Sequence, residues 1–573
     1  MQRKLFILFF SFFTNFLFAQ KIASYYQVDE RAATRWVDSV YKQLNLDQKL
    51  GQLFMVAAYS NKNESHYKQI DELIDTYAIG GLIFFQGGPV RQAKLTNRYQ
   101  VKSKVPLLIG IDAEWGLAMR LDSTFYFPWN MSLGAIQDNK LIEKTGFAMA
   151  EQAKRMGIHF NFAPVLDVNV NPLNPIIGNR SFGEDPVNVA NKGVALIKGL
   201  QHGGIFATGK HFPGHGDTSV DSHHVLPFLN FDRERLDAVE LYPYNSAIKA
   251  GMASVMVAHL DVPALEKQKG LPTSLSYSTV SELLKQDLDF EGLIFTDALN
   301  MKGASNYKTP GEVDLAAFLA GNDVMLFSEN VALAISKFKQ AYQAGDFSDK
   351  RLAYSVKKIL RYKFYAGLNK PKAIDLNNLY ADLNAPKYQA LNRELFNNMV
   401  TIAKKEIGQI PIRDLATEKI AYVKLGDGAN EAFLNTLNNY TEITVFDSES
   451  PTLLSDLKIF TSVIVGYHKD DGAWKKQLMS PDEIAILQTI AASNNIYFTV
   501  FARPYSMLDI ADFSAITNVL IAYQNIEPAQ QAAADIIFGG IAAKGELPVS
   551  IHSKIPVNTG FKTQALNRLA TAY

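Results

Sequence analysis

The sequence predicts an α/β protein of two domains: a (β/α)8 TIM-type barrel, then a smaller doubly wound α/β sandwich. Three observations point there. Between residues 36 and 365, eight short apolar runs alternate with helix-length amphipathic stretches, the order of strands and helices in a parallel barrel. The runs are nearly continuous in apolar residues, as strands covered on both faces must be. After a stretch rich in Asn, Asp and Pro, a second and shorter βα series begins.

Composition sets the outer limits. The chain has 573 residues, 47% hydrophobic and 20% charged, enough apolar side chain for more than one core. Lys and Arg together number 57, as do Asp and Glu, so nothing favours a nucleic acid or an anionic membrane surface as partner. There is no cysteine. That excludes disulfides, thiolate metal sites, cysteine nucleophiles and a lipid-modified cysteine. At the start, Arg3 and Lys4 precede an apolar run over 5–18, followed by Ala19-Gln20. That order reads as a secretory signal peptide over 1–20. Asn15 interrupts the run, which falls short of the about 20 apolar residues of a membrane anchor. The mature protein is therefore expected in the periplasm or outside the cell, with no stable membrane anchor.

In the barrel domain, 21–365, strands are expected at 50–57, 79–85, 106–112, 160–167, 205–211, 254–259, 292–297 and 323–327, with helices such as 140–156 and 186–202 between them. Residues 366–392 read as a linker. The second domain, 393–555, has strand patterns at 420–425, 443–446, 462–467, 497–501 and 519–523, a closing strand at 548–551, and helices such as 430–437 and 481–493. It has no G-x-G-x-x-G turn, so no dinucleotide site is expected. Residues 556–573 form an irregular tail.

The chemistry gathers on the predicted rim, at the C-terminal ends of the barrel strands. Asp112 ends the third run, Lys210 and His211 the fifth, His259 the sixth and Asp297 the seventh. Arg180 stands alone in the turn-rich Gly178-Asn179-Arg180-Ser181-Phe182-Gly183. Residues 210–224 hold four of the ten histidines, a density of polar groups that no core tolerates without partners.

Several readings compete at these positions. Asp297 suits a nucleophile, a base, a metal ligand, or an N-cap of the next helix. Asp221 stands two residues before His223, so in a loop its carboxylate can orient and charge the imidazole as a general acid/base. The alternative is a metal site built from His211, His215, Asp217 and His223, although their spacing matches no His-Glu-x-x-His helix. Asp112, Arg180, Lys210 and His211 suit a polyhydroxylated ligand. A phosphate is the alternative for Arg and Lys, but no Gly-rich cradle precedes a helix here. Trp115 is either a sugar-stacking face or rim packing, and His259 either a site residue or a satisfied core histidine. An aspartate nucleophile, a separate proton donor and a polar rim together suggest retaining glycoside hydrolysis, with His223 in place of the usual second carboxylate.

The run Lys210-His211-Phe212-Pro213-Gly214-His215-Gly216-Asp217, continuing through Asp221-Ser222-His223 to Pro227, resembles the signature of family 3 glycoside hydrolases of the β-N-acetylglucosaminidase branch. The Arg180 turn, Phe295-Thr296-Asp297 and Pro272-Thr273-Ser274-Leu275-Ser276 are similar to that branch too. The second domain, with Phe538-Gly539-Gly540 and Leu547-Pro548-Val549-Ser550, resembles the α/β sandwich of two-domain members.

The resemblance implies Asp297 as nucleophile, His223 as general acid/base and Asp221 as its dyad partner. It implies Asp112, Arg180, Lys210 and His211 as the residues that hold the nonreducing-end sugar. It implies no metal and no organic cofactor, and an N-acetyl group that takes no part in the attack. The substrates it implies are N-acetylglucosamine-containing glycans: exported enzymes would meet peptidoglycan fragments or chitin-like oligosaccharides. A β-glucosidase, a phosphorylase of the same family and a non-catalytic sugar-binding module are the alternatives. Two departures stand out. One is the signal peptide, since enzymes of this branch that recycle wall fragments are often cytosolic; the other is the motif after the third strand. The family's usual Asp-Gln-Glu-Gly-Gly is here Asp112-Ala113-Glu114-Trp115-Gly116, with a Trp beside the subsite. The tail around Leu566-Asn567-Arg568-Leu569 is similar to the approach to a β-lactamase-like domain found in some relatives.

Overall fold

The computed structural model describes residues 26, 28–406, 408–472, 475 and 477–570; the segment read as a signal peptide lies outside them. By contacts the chain divides into two compact units. One holds Met1–Tyr126, Ile142–Ile177 and Ala190–Ala385, the other Phe127–Leu141, Gly178–Val189 and Pro386–Tyr573.

The first unit is a nearly closed parallel barrel. Its strands are β1 (Phe54–Tyr59), β2 (Gly81–Gln86), β3 (Leu108–Ile111), β4 (Phe160–Asn161), β5 (Phe206–Phe212), β6 (Ser254–Val257), β7 (Leu293–Thr296) and β8 (Met325–Leu326). They run in the order β7-β6-β5-β4-β3-β2-β1-β8, and Phe295 bridges Val324 across the seam. Phe160, Phe206 and Phe295 meet inside it, with ring centroids 4.8 and 5.2 Å from that of Phe160. This aromatic plug makes the barrel a packed core rather than a pore. The expected run at 50–57 begins four residues late, because 46–51 forms a helix. Asn45 and Gln48 close a capping box at its start, and that local signal outweighs the apolar pattern.

The second unit carries β9 (Thr401–Lys404), β10 (Ile420–Leu425), β11 (Ile443–Phe446), β12 (Ser462–His468), β13 (Ile496–Phe501) and β14 (Asn518–Ile521). Their order is β11-β10-β12-β13-β14-β9. Every pair is parallel except β14 with β9. The expected strand at 548–551 does not join this sheet. Pro548 has no N–H to give a ladder, and β9 already occupies the edge beside β14. The crevice between β10 and β12, where doubly wound sheets seat nucleotides, is filled by the chain itself. His468 reaches Tyr422 Oη at 3.0 Å and Asn525 Oδ1 at 2.9 Å, and its ring stacks on Phe501 at 4.3 Å.

The domain limits differ from those expected. Within 366–392, read as a linker, helices form over Leu379–Leu383 and from Pro386 on to Met399, and the chain from Ala190 to Ala385 belongs with the barrel. The segments Phe127–Leu141 and Gly178–Val189, read as barrel loops, pack with the second unit. There Trp129 N donates to Gln524 Oε1 at 3.1 Å, and Glu184 N to Pro548 O at 3.0 Å. The tail beyond 555 has no regular elements, but it is docked: Arg568 Nη1 donates to Ile412 O and Phe538 O at 2.7 Å each. Among the described residues, no helix is long and apolar enough to cross a membrane.

Candidate active site

The barrel places two carboxylates of the site by ending a strand beneath each. Asp112 follows β3 directly and Asp297 follows β7. Asn161, in β4, fixes the β3 end: its side chain exchanges two hydrogen bonds of 3.0 Å with the backbone of Ala113. β5 delivers Lys210 and His211 to the same rim.

Asp112 sits in a buried chain of charges. Lys210 Nζ donates to Asp112 Oδ1 at 2.8 Å and pairs with Glu114 Oε1 at 2.8 Å. Arg120 Nη2 donates to Asp112 Oδ2 at 2.7 Å, and its guanidinium lies 3.8 Å over the Phe85 ring. Burial acts to raise the Asp112 pKa, but Lys210 and Arg120 outweigh it and hold the carboxyl far below the ordinary range. The result is a fixed, ionised acceptor, suited to sugar hydroxyls. Glu114 and Arg120 were not singled out in the sequence. Their partners come from other strands or turns, and only the recurrence of charge after the third run hinted at them.

His211 and His215 share one carboxylate. Asp167 Oδ2 lies 2.7 Å from His211 Nδ1, and Asp167 Oδ1 accepts from the backbone N of His215 at 2.7 Å. Asp167 is another functional residue that the sequence reading passed over, although it ends the fourth apolar run as Asp112 ends the third. Burial would raise its pKa, and His211 reverses this to a net lowering. His215 engages Thr218 Oγ1 through Nδ1 at 2.7 Å and Ser222 Oγ through Nε2 at 3.2 Å. Asp217 turns instead to Arg235, at 3.4 Å. The four residues of the alternative metal reading, His211, His215, Asp217 and His223, thus each have partners within the protein. Among the described residues, no three His, Cys, Asp or Glu side chains are placed to hold an ion together.

The pair Asp221–His223 forms as expected. Asp221 Oδ1 lies 2.8 Å from His223 Nδ1 and also accepts from the His223 backbone N at 2.8 Å. The imidazole is mostly exposed. Gly216 lets the preceding turn lie flat on β4's continuation, since a Cβ there would stand 1.8 Å from Val168 O.

Asp297 is partly buried, and its Oδ1 accepts from Ala298 N at 2.7 Å. It caps no helix; the next, Lys302–Ser305, starts after Met301. Burial acts to raise its pKa, but the positive potential of His211 and His259 and the Ala298 N–H bring the net shift below the ordinary value. At neutral pH it is a carboxylate. His259 is a satisfied core histidine behind it: fully buried, with Nδ1 2.7 Å from Ser274 Oγ and Nε2 3.0 Å from Ala298 O.

Lys210 with Asp112 and Asp221 with His223 are thus direct pairs. Asp297, His211 and His223 are coupled electrostatically. Arg180 belongs to the second unit, where it is buried and its carbonyl accepts from Asn130 Nδ2 at 2.7 Å. Trp115 is half-buried beside Glu114.

Comparison with known proteins adds an independent line. The profile of the "Glycosyl hydrolase family 3 N terminal domain" matches residues 45–362. A solved glycoside hydrolase family 3 beta-N-acetylglucosaminidase from Paenibacillus sp. is 31% identical with a TM-score of 0.72, covering 90% of this chain and 100% of that one. Beta-hexosaminidase A of Pseudoalteromonas piscicida is 29% identical over 553 residues, 84% of this chain and 91% of that protein. A Cellulomonas fimi protein described as beta-N-acetylglucosaminidase/beta-glucosidase is 27% identical over 69% of this chain and 71% of its own. A beta-glucoside phosphorylase, 22% identical with a TM-score of 0.77 over 92% and 97% of the two chains, shares the fold.

Proposed function

The chain belongs to glycosyl hydrolase family 3, and from that premise we propose that it is an exported, retaining exo-β-N-acetylglucosaminidase. Its substrates on this reading are peptidoglycan fragments or chitin-like oligosaccharides. The activity is supported by the family match and by relatives whose names carry it. Export is supported by Arg3, Lys4 and the apolar run over 5–18.

The observation that carries the mechanism is the 2.8 Å contact between His223 Nδ1 and Asp221. It commits Nδ1 to the carboxylate and leaves the proton traffic to Nε2. In the first step an Asp297 oxygen attacks the anomeric carbon. The glycosidic C–O bond breaks, and the Nε2 proton passes to the leaving oxygen. In the second, a water gives its proton to His223 Nε2 and attacks the same carbon, releasing Asp297 and a sugar of retained configuration. Asp112, Lys210 and His211 hold the sugar's hydroxyls. Arg180 joins them on the resemblance.

The test compares aryl β-N-acetylglucosaminide with aryl β-glucoside as substrates of the mature protein, with a chelator present. Preference for the N-acetyl sugar supports the proposal. Preference for glucose transfers it to the β-glucosidase reading, with Trp115 as the first residue to vary. Release of a sugar 1-phosphate on adding phosphate would replace hydrolysis by phosphorolysis. No turnover of either substrate would favour a binding module.

A further inference from the structure

Asp221 and His223 lie on a loop, yet the residue between them is almost fully buried, at 2% exposure. That residue, Ser222, faces two directions at once. Its Oγ meets His215 Nε2 at 3.2 Å, and its carbonyl accepts from Gly303 N at 3.1 Å.

Each partner leads back to a fixed part of the barrel. Thr218 Oγ1 lies 2.7 Å from His215 Nδ1 and 3.1 Å from His215 O. With Thr218 at one ring nitrogen and Ser222 at the other, a neutral imidazole has a hydrogen-bond partner for its N–H and another for its lone pair. Neutrality is expected here, because burial pushes the His215 pKa down to about 4. The His215 backbone is itself held by Asp167.

On the other side, Gly303 follows the loop that bears Asp297. A Cβ at Gly303 would stand 3.0 Å from Ser222 O and 3.1 Å from His259 Cβ. His259 in turn bonds Ala298, the residue beside Asp297. The contacts form one chain from Asp167 through His215, Ser222, Gly303 and His259 to Ala298.

We propose that Ser222 is a positioning residue: through His215 and Gly303 it holds the Asp221–His223 pair in fixed register with the loop that carries Asp297. This rests on the reading of that pair as the acid/base. An acid must meet the leaving oxygen within hydrogen-bond reach while the nucleophile meets the carbon on the other side. A loop-borne acid needs an anchor, since misplacement of about 1 Å is enough to cost two orders of magnitude.

The test uses kcat/KM, which reports the steps through the first bond cleavage, on two substrates. N,N′-diacetylchitobiose needs its leaving oxygen protonated; a 2,4-dinitrophenyl β-N-acetylglucosaminide does not. Ser222→Ala and Gly303→Ala are each expected to lower the chitobiose value by about tenfold or more, while the dinitrophenyl value stays within about twofold. An equal fall on both substrates, or no fall on either, overturns the proposal. The two substitutions disturb the contact from opposite sides, so a folding defect in one, seen in its melting curve, leaves the other to decide. Asp221→Asn is the control. If it leaves the chitobiose rate intact, the acid/base reading itself is lost. If it lowers that rate and the Ser222 and Gly303 variants do not, only the positioning role is lost.

Discussion

Asp297 and His223 sit in opposite surroundings, and the proposed chemistry, with Asp297 as nucleophile and His223 as acid, asks for both. The nucleophile must be ionised and desolvated, and it is partly buried with His211 and His259 biasing it toward the carboxylate. The acid must exchange protons with substrate and water, and His223 is mostly exposed with only Nδ1 committed. Asp297→Ala should therefore keep the fold but lose covalent capture. A fluorinated N-acetylglucosaminyl fluoride should add one glycosyl mass to the parent protein and none to the variant. A labelled variant would place the nucleophile elsewhere. The residues legible in the sequence are those whose partner is close in the chain, such as Asp221 with His223, or whose place at a strand end marks them, such as Asp112 and Lys210. Asp167 was missed because its partners, His211 and His215, lie in a different βα unit and only folding brings them to it. Arg120 lies only eight residues from Asp112, but no local pattern marks the turn that folds it back onto that carboxylate.

Elements show the same division between local and distant causes. The helix Pro186–His202 has the limits its apolar spacing predicts, and β10 and β11 coincide with their expected runs, because propensity and burial agree there. β9 was not legible. It is four residues long, starts two residues after a helix ends at Met399, and owes its conformation to pairing with β14. The tail is irregular, as expected, but several contacts dock it, one charged side chain among them. Leu566 N donates to Gly539 O at 2.8 Å, and the Arg568 guanidinium caps the last carbonyl of the helix Glu527–Phe538 while also reaching Ile412 O and Arg413 O. A cation at a helix C-terminus satisfies orphan carbonyls and opposes the helix dipole. Arg568→Ala should destabilise the second unit by on the order of 1–2 kcal/mol, read as an earlier denaturant midpoint, with kcat on an aryl substrate unchanged. An unaltered midpoint would mean that the tail adds nothing to that unit.

Across the whole molecule, buried histidines set how stability should depend on pH. Burial lowers His159 and His215 in the barrel, and His468 in the second unit, each from 6.5 to about 4. A folded-state pKa below the unfolded value means that the unfolded chain binds protons which the native chain refuses. Their contribution is therefore complete above about pH 6.5 and is lost as pH falls toward 4. Each group adds a slope of up to about 1.4 kcal/mol per pH unit inside that window. The depressed carboxylates Asp112, Asp167 and Asp297 act in a different window. Their contribution is present above the unfolded value of about 4 and is lost only as pH falls below it. Burial also pushes three carboxyls up, Glu291 to about 7 and Asp314 and Asp471 to about 6; their contribution grows as pH falls through those values and opposes that of the histidines. The net fall in melting temperature is therefore expected below about pH 4, as the depressed carboxylates protonate. Replacing His468 by Gln should flatten the acid limb of the second unit alone. A variant whose acid limb follows that of the parent would show the His468 imidazole to take up its proton in the native state as readily as in the unfolded chain.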